Sequence, residues 1–370
     1  MMITTADGPN AADLRDGHGI DGFGTLPDGR AVTRVTLKNG RGMVAEVSDY
    51  GATLLRLDAP DRSGQLADVT LGFQSFDGWL ENGPYFGATI GRFGNRICDG
   101  KFSLDGHGYQ LATNNEPNGI PCHLHGGVHG FSKALWKIAD RSSNAVKLTH
   151  VSPAGDEGYP GTLTVEVVYE LTDNNELIWT AEATTDAPTV VNLVHHTYWN
   201  LTGEPGSTAL DHELMLDAQS FLTIGPGMIP TGEISAVSGT PMDFSTPQRV
   251  GARIDADFLP LRLAAGYDHC WVLRSSGASS EPRLAAVLHD PASGRMMKLR
   301  TNQPGIQFYS GNFSDHEHPG KNGVHYERRS GLCLETQAFP DSPNQPNFPS
   351  SVLRPGERYR HVMVHQFSSY

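Results

Sequence analysis

The sequence predicts an all-β fold, a large antiparallel β-sandwich or barrel, and three observations carry that expectation. Short runs of alternating apolar and polar residues recur from about residue 23 to the C-terminus, the period of side chains on a pleated strand. Turn residues separate them: Gly 42 and Pro 24 make up about 18% of the 370 residues, against roughly 12% in average usage. Helical periodicity is confined to one short piece, residues 76–80.

In chain order, strands are expected at "AVTRVTL" and "GMVAEVS", then "AVKLTHV". The clearest hairpin is "TLTVEVVYELTDNNELIWTAEATT", where period-two runs at 162–171 and 176–184 flank Asp173, Asn174 and Asn175, residues that tolerate left-handed turn angles. Further strands are expected at "NLVHHTYWNL", "HELMLDA", "HCWVLR", "RMMKLR" and the final "YRHVMVHQF". The proline-rich "FPDSPNQPNFPSSVLRPGE" precedes a strand and reads as a long surface loop, not a boundary. One domain is expected over residues 23–370, behind a polar, Gly-rich, acidic leader at 1–22.

The net charge of -13 argues against nucleic acid as a partner. No segment approaches the roughly 20 apolar residues of a membrane span, and the N-terminus lacks the basic start and apolar run of a secretory signal. Cys98, Cys122, Cys270 and Cys333 lie far apart without a C-x-x-C pair. A soluble protein of the reducing cytoplasm is expected, and nothing in the sequence sets its oligomeric state.

"NLVHHTYWNL" puts two histidines side by side, and on a strand they point to opposite faces. Leu193, His195, Thr197, Trp199 and Leu201 form an apolar face. Asn192, Val194, His196, Tyr198 and Asn200 form a polar one, costly to bury unless it binds a ligand or pairs internally. His196 is therefore the candidate for chemistry; the competing reading is two structural histidines.

"PCHLHGGVHGF" supplies His123, His125 and His129, either three imidazoles for a metal or a hydrogen-bonding loop, and "DHEHPG" adds His316 and His318. Metal sites generally recruit a carboxylate or thiolate at recognisable spacing, and none stands beside His125, so a hydrogen-bonding loop is preferred. In "IGRFGNRICDG", Asn95 and Arg96 follow a glycine-rich turn without a phosphate-binding lysine, which suits hydrogen bonding to a neutral polyol or an Arg packed over a sheet edge. Asp268 in "GYDHCWVL" and Glu335 in "GLCLETQAF" sit among hydrophobic neighbours. If strand-borne, Glu335 shares a face with Cys333, and burial would raise its pKa to suit proton exchange. Gln303 and Gln307, with Phe308 and Tyr309, combine amides and aromatics suited to a sugar.

The ordered motifs "GRFGNRI", "LHGG", "EGYPG", "NLVHHTYWNL", "GYDH", "QPGIQFYSGN", "GLCLETQAFPDSPNQPNFP" and "LRPGE" closely resemble the aldose 1-epimerases, or galactose mutarotases, over all but the leader. The resemblance implies a twisted antiparallel β-supersandwich with an open groove, a monosaccharide substrate such as galactose or glucose, and no required cofactor or metal. It places the family's catalytic histidine on His196 and its glutamate on Glu335, with substrate contacts from Asn95, Arg96, His125, Asp268 and Gln307; Tyr198, on the His196 face, joins that set. Two positions depart from the family pattern: His195, where Asn is usual, and Gly94, where Ala is common.

Exchanging anomers requires opening the hemiacetal, rotating about C1–C2 and closing again. Glu335 is assigned as the base for the anomeric hydroxyl and His196 as the acid for the ring oxygen, with roles exchanged on closure. Three rivals are a glycoside hydrolase using Asp268 and Glu335 as a carboxylate pair, a noncatalytic sugar-binding module, and a metalloenzyme built on the His-x-His segments.

Overall fold

Alternation fixes which face of each strand turns inward. In the hairpin Leu163–Leu171 and Glu176–Thr185, every second side chain is buried, and Tyr169 pairs across the ladder with Trp179. A computed structural model describes residues 19–274, 281–312 and 318–370. Every paired strand in it is antiparallel, and the strands fall mainly into three sheets.

Ile20–Thr25, Ala31–Lys38, Val44–Ser48, Thr53–Pro60 and Leu66–Asp68 form a five-stranded meander. A nine-stranded sheet runs in the order Lys137–Arg141, Ala145–Ser152, Leu163–Leu171, Glu176–Thr185, Tyr359–Ser369, Arg295–Thr301, Arg283–His289, Glu213–Leu216 and Gln248–Arg249. The last strand of the chain joins its two halves, because Tyr359–Ser369 pairs with Glu176–Thr185 on one side and Arg295–Thr301 on the other. The six-stranded sheet carries the site: Tyr198–Trp199, Leu332–Gln337, Gly305–Tyr309, Asp268–Leu273, Ala218–Ile224 and Pro230–Ala236. Side chains from all three sheets meet in one apolar core, with Trp179, Trp199 and Trp271 almost fully buried within it. This is the antiparallel sandwich the sequence predicts.

The expected helical piece is present as Phe76–Glu81, and the expected strands are found, except that "NLVHHTYWNL" is split into Val194–His196 and Tyr198–Trp199, which pair in different sheets. Two expectations change. The first strand begins at Ile20 and pairs with Ala31–Lys38, so residues 20–22 belong to the fold and not to a leader; residues 1–18 lie outside the described set. The proline-rich segment is not wholly a surface loop. Its first part, through Ser342, is buried, because Asp341 ties it to the strand Arg96–Cys98: the Cys98 N–H donates to Asp341 Oδ1 at 2.9 Å and the Asp341 N–H to the Arg96 carbonyl at 2.9 Å.

Candidate active site

Strand register assembles the floor of the site. Across the six-stranded sheet, Tyr198 stands opposite Cys333, Cys333 opposite Tyr309, and Tyr309 opposite Asp268. One step along, Glu335 stands opposite Gln307 and Gln307 opposite Cys270. Residues two apart on a strand share a face, so both rows point the same way, while Leu332, Leu334, Ile306 and Phe308 turn into the core. Chemistry-bearing side chains thus reach the groove without local sequence proximity.

The strand Val194–His196 delivers the histidine, pairing with Ala88–Ile90 beside the floor. His196 is 5% exposed, and its Nε2 lies 3.7 Å from Glu335 Oε2. His195 points the opposite way into the core: its ring stacks on Trp179 at 5.6 Å and its Nε2 meets Thr197 Oγ1 at 3.0 Å. The alternation argument separating the two histidines holds.

Two left-handed turns supply the wall. Asn95 has φ 65° and His125 φ 53°, and the Asn95 N–H donates to His125 Nδ1 at 3.2 Å. With Nδ1 accepting, a neutral His125 carries its proton on Nε2 and is a hydrogen-bond donor there. The glycines of "LHGG" are steric necessities: Gly126 has φ 81°, and a Cβ on it would lie 1.8 Å from the Gly91 carbonyl oxygen. Gly94 is explained as well, since an alanine methyl would come 2.5 Å from Val194 Cγ2.

The groove encloses about 400 Å³ and is lined by Asn95, Arg96, His125, His196, Tyr198, Asp268 and Glu335, seven of the eight site residues expected from sequence. The eighth, Gln307, is not in the lining. Its Nε2 donates to Asp268 Oδ1 at 2.6 Å and its Oε1 accepts from Gln337 Nε2 at 3.2 Å, so it holds the aspartate from below. Arg96 Nη1 approaches the other Asp268 oxygen at 3.7 Å. Sequence reasoning missed Tyr85, Asn115 and Leu124 in the lining, while Tyr309, singled out from sequence as an aromatic suited to a sugar, is there. Tyr85 packs on both imidazoles, 4.8 Å from His125 and 5.8 Å from His196 between ring centroids. No sequence pattern marked it.

Burial dominates the electrostatics. It holds the Glu335 carboxyl well above the usual carboxylate range, Asp268 adding to the effect and Arg96 opposing it. It lowers His196 to about 4, and His125 well below the ordinary imidazole value with His196 and Arg96 pushing the same way. Asp268 is raised by burial against the pull of Arg96 and Gln307. Burial thus disfavours the charged form of both members of the His196–Glu335 pair.

The three imidazoles of "PCHLHGGVHGF" do not converge. The strand Cys122–Leu124 ends before His125, whose left-handed backbone turns it into the groove, while His123 is buried against the Ala112 carbonyl at 2.7 Å and His129 is exposed. His316 lies outside the described residues. Among the described residues, the one group of three potential metal donors is His196, Cys333 and Glu335.

Comparison with known proteins gives the family. The aldose 1-epimerase family profile matches residues 33–366. Human galactose mutarotase is 43% identical over 346 residues, covering 94% of this chain and 97% of that protein. Aldose 1-epimerase of Escherichia coli K12 is 36% identical over 343 residues, 92% of this chain and 96% of that protein. The crystal structure of a GalM/aldose epimerase homologue from C. elegans superposes with a TM-score of 0.82 at 30% identity, covering 92% of this chain and 99% of that one. The chain belongs to the aldose 1-epimerase family and is an isomerase of sugar anomers.

Proposed function

We propose that this protein interconverts the α and β anomers of free aldoses such as galactose and glucose, with Glu335 and His196 exchanging protons with the two oxygens on the anomeric carbon. The observation that carries the reading is the pair itself: an imidazole nitrogen and a carboxyl oxygen 3.7 Å apart, both buried, on the floor of a groove of monosaccharide size. One group takes the anomeric hydroxyl proton while the other supplies a proton to the ring oxygen. The aldehyde then rotates about C1–C2, and closure reverses the transfers. Glu335 is assigned as the base for the anomeric hydroxyl and His196 as the acid for the ring oxygen, which requires the proton of the pair to sit on the imidazole when the sugar is seated. His125, as an Nε2 donor, and Arg96 stabilise charge developing on the ring oxygen. Asp268, held by Arg96 and Gln307, accepts from sugar hydroxyls, Asn95 donates to them, and Tyr198 walls the groove beside His196.

The engagement of Asp268 with Arg96 and Gln307 argues against its use as a hydrolase nucleophile. Each proton transfer contributes typically 10²- to 10⁴-fold. Polarimetry of freshly dissolved α-D-glucose, α-D-galactose and α-D-xylose tests the reading. Rapid decay that chelator does not slow, and that both Glu335→Gln and His196→Asn abolish, is expected; decay at the buffer rate on every sugar refutes it. We also propose the cytoplasm as its location, in keeping with four free cysteines. Fractionation of cells tests that.

A further inference from the structure

Cys333 is fully buried and has no part in the proton transfers above, yet it stands on the same strand face as Glu335, two residues away, and its Sγ lies 3.8 Å from His196 Nδ1. Taking one donor atom from each of His196, Cys333 and Glu335, all three lie within 4.8 Å of one another. Glu335 Oε2 is buried and accepts no hydrogen bond among the described residues, so a carboxylate lone pair is free to ligate. Donors around a tetrahedral zinc ion, with bonds of about 2.0 to 2.3 Å, stand roughly 3.5 Å apart. The two short contacts use different imidazole nitrogens, Nε2 toward Glu335 at 3.7 Å and Nδ1 toward Cys333 at 3.8 Å; with one nitrogen serving the ion the three donors lie within 4.8 Å, and shifts of about an ångström close the remainder.

We propose that His196, Cys333 and Glu335 form a binding site for a thiophilic divalent cation such as zinc, and that the ion and the sugar exclude each other. The donor set selects the metal. One sulfur, one imidazole nitrogen and one carboxylate oxygen suit zinc, whereas magnesium and calcium need shells of oxygens that this floor does not offer. Burial favours the protonated form of both the Cys333 thiol and the Glu335 carboxyl, so zinc binds with release of their protons. The groove gives the ion its approach, because His196 and Glu335 both line it. The mutual exclusion rests on the sugar reading above, since it requires the sugar to meet the same two side chains; the metal site itself does not.

The test is calorimetric titration of the tag-free full chain with zinc chloride, paired with cobalt(II) titration followed in the near ultraviolet, where thiolate ligation gives a charge-transfer band. Expected are saturable zinc binding, a thiolate band, and no response to magnesium. Cys333→Ser and Cys333→Ala should each weaken zinc tenfold or more and remove the band, while any ion held by the cross-strand pair Cys98 and Cys122 survives both. Glu335→Gln, which preserves shape and leaves the thiol in place, should weaken zinc as well, so the proposal is decided even if the cysteine variants fail to fold. Equal zinc affinity in the wild type and Glu335→Gln, or cobalt binding without a thiolate band, overturns the site. Galactose that leaves zinc affinity unchanged overturns the exclusion. A chain that binds zinc through Cys333 but does not accelerate mutarotation keeps the site and loses the enzyme reading.

Discussion

At the scale of the residue, Glu335 and His196 are shifted in opposite directions by one cause. Burial favours the neutral form of each, raising the carboxyl and lowering the imidazole to about 4. The pair therefore keeps one proton over a wide range. Below about pH 4 it gains a second, and above the raised Glu335 value it loses its only one. We expect a bell-shaped profile of kcat/KM with a broad top, its two apparent values belonging to the pair and not to either residue. Glu335→Gln should remove the alkaline limb and lower the plateau by about 10²- to 10⁴-fold. A wild-type rate that does not change from acid to alkali would sink the assignment. That His196 and not His195 faces the groove was legible in the sequence, because two adjacent strand residues must diverge. The failure of His123 and His125 to share a face was not. It depends on His125 adopting φ 53° beside Gly126, a turn that the letters permit but do not impose.

At the scale of the element, the site is a convergence of short segments held by side-chain clamps. The strand Arg96–Cys98 is three residues long and cannot place Arg96 by its own ladder. Asp341 supplies the missing restraint through the Cys98 N–H, and Asn344 Nδ2 and Gln345 Nε2 donate to its carboxylate at 2.7 and 3.2 Å. Asp341→Ala leaves a buried N–H without a partner, a cost of about 1–3 kcal/mol in stability. It should also lower kcat/KM more than Asp341→Asn, which keeps an acceptor oxygen. Equal melting temperatures and equal kinetics for the wild type and Asp341→Ala would contradict the clamp. A second case is the segment that carries Tyr85 in the left-handed region, φ 64°, a position strained for a large side chain. Its ring lies on the two imidazoles, so Tyr85→Phe should retain activity. Tyr85→Ala should lose roughly 10-fold or more in kcat, a range set by the sensitivity of catalysis to small misplacements. Comparable kcat in both variants would show that the ring does not orient the histidines. Strand positions were legible from alternation; Tyr85 and Asp341 were not. Their roles follow from turns and long-range pairing, as does the placing of Gln307 beside Asp268, which lies 39 residues away in the chain and on the neighbouring strand.

At the scale of the whole molecule, eight histidines are buried among the described residues: His123, His125, His195, His196, His212, His269, His361 and His365. All eight have lowered values, with His196, His212 and His365 at about 4 and His269 and His361 at about 3. Unfolded imidazoles titrate near 6.5, so between roughly pH 6.5 and 4 the unfolded chain binds protons that the folded chain refuses. Stability contributed by these groups is fully present above 6.5 and is lost as the pH falls toward the folded values. Several of them also stand directly behind the strands that carry His196 and Glu335. His361 meets Thr336 Oγ1 at 2.7 Å, next to Glu335, and His195 meets Thr197 Oγ1 at 3.0 Å, next to His196. Protonating that layer would disturb the groove from behind, so an acid loss of activity could arise from the fold as well as from the His196–Glu335 pair. The two separate by reversibility and by slope. Urea unfolding measured from pH 7.5 to 4.5 should show stability falling by about 1.4 kcal/mol per pH unit for each net proton taken up on unfolding. His212→Asn, which is outside the groove lining, should make that fall shallower without moving the acid limb of the rate profile, whereas a wild-type stability unchanged between pH 7 and 5 would refute the account. A brief acid exposure followed by assay at neutral pH then completes the distinction: activity that returns at once reports the His196–Glu335 pair, and activity that returns slowly or in part reports the buried histidines.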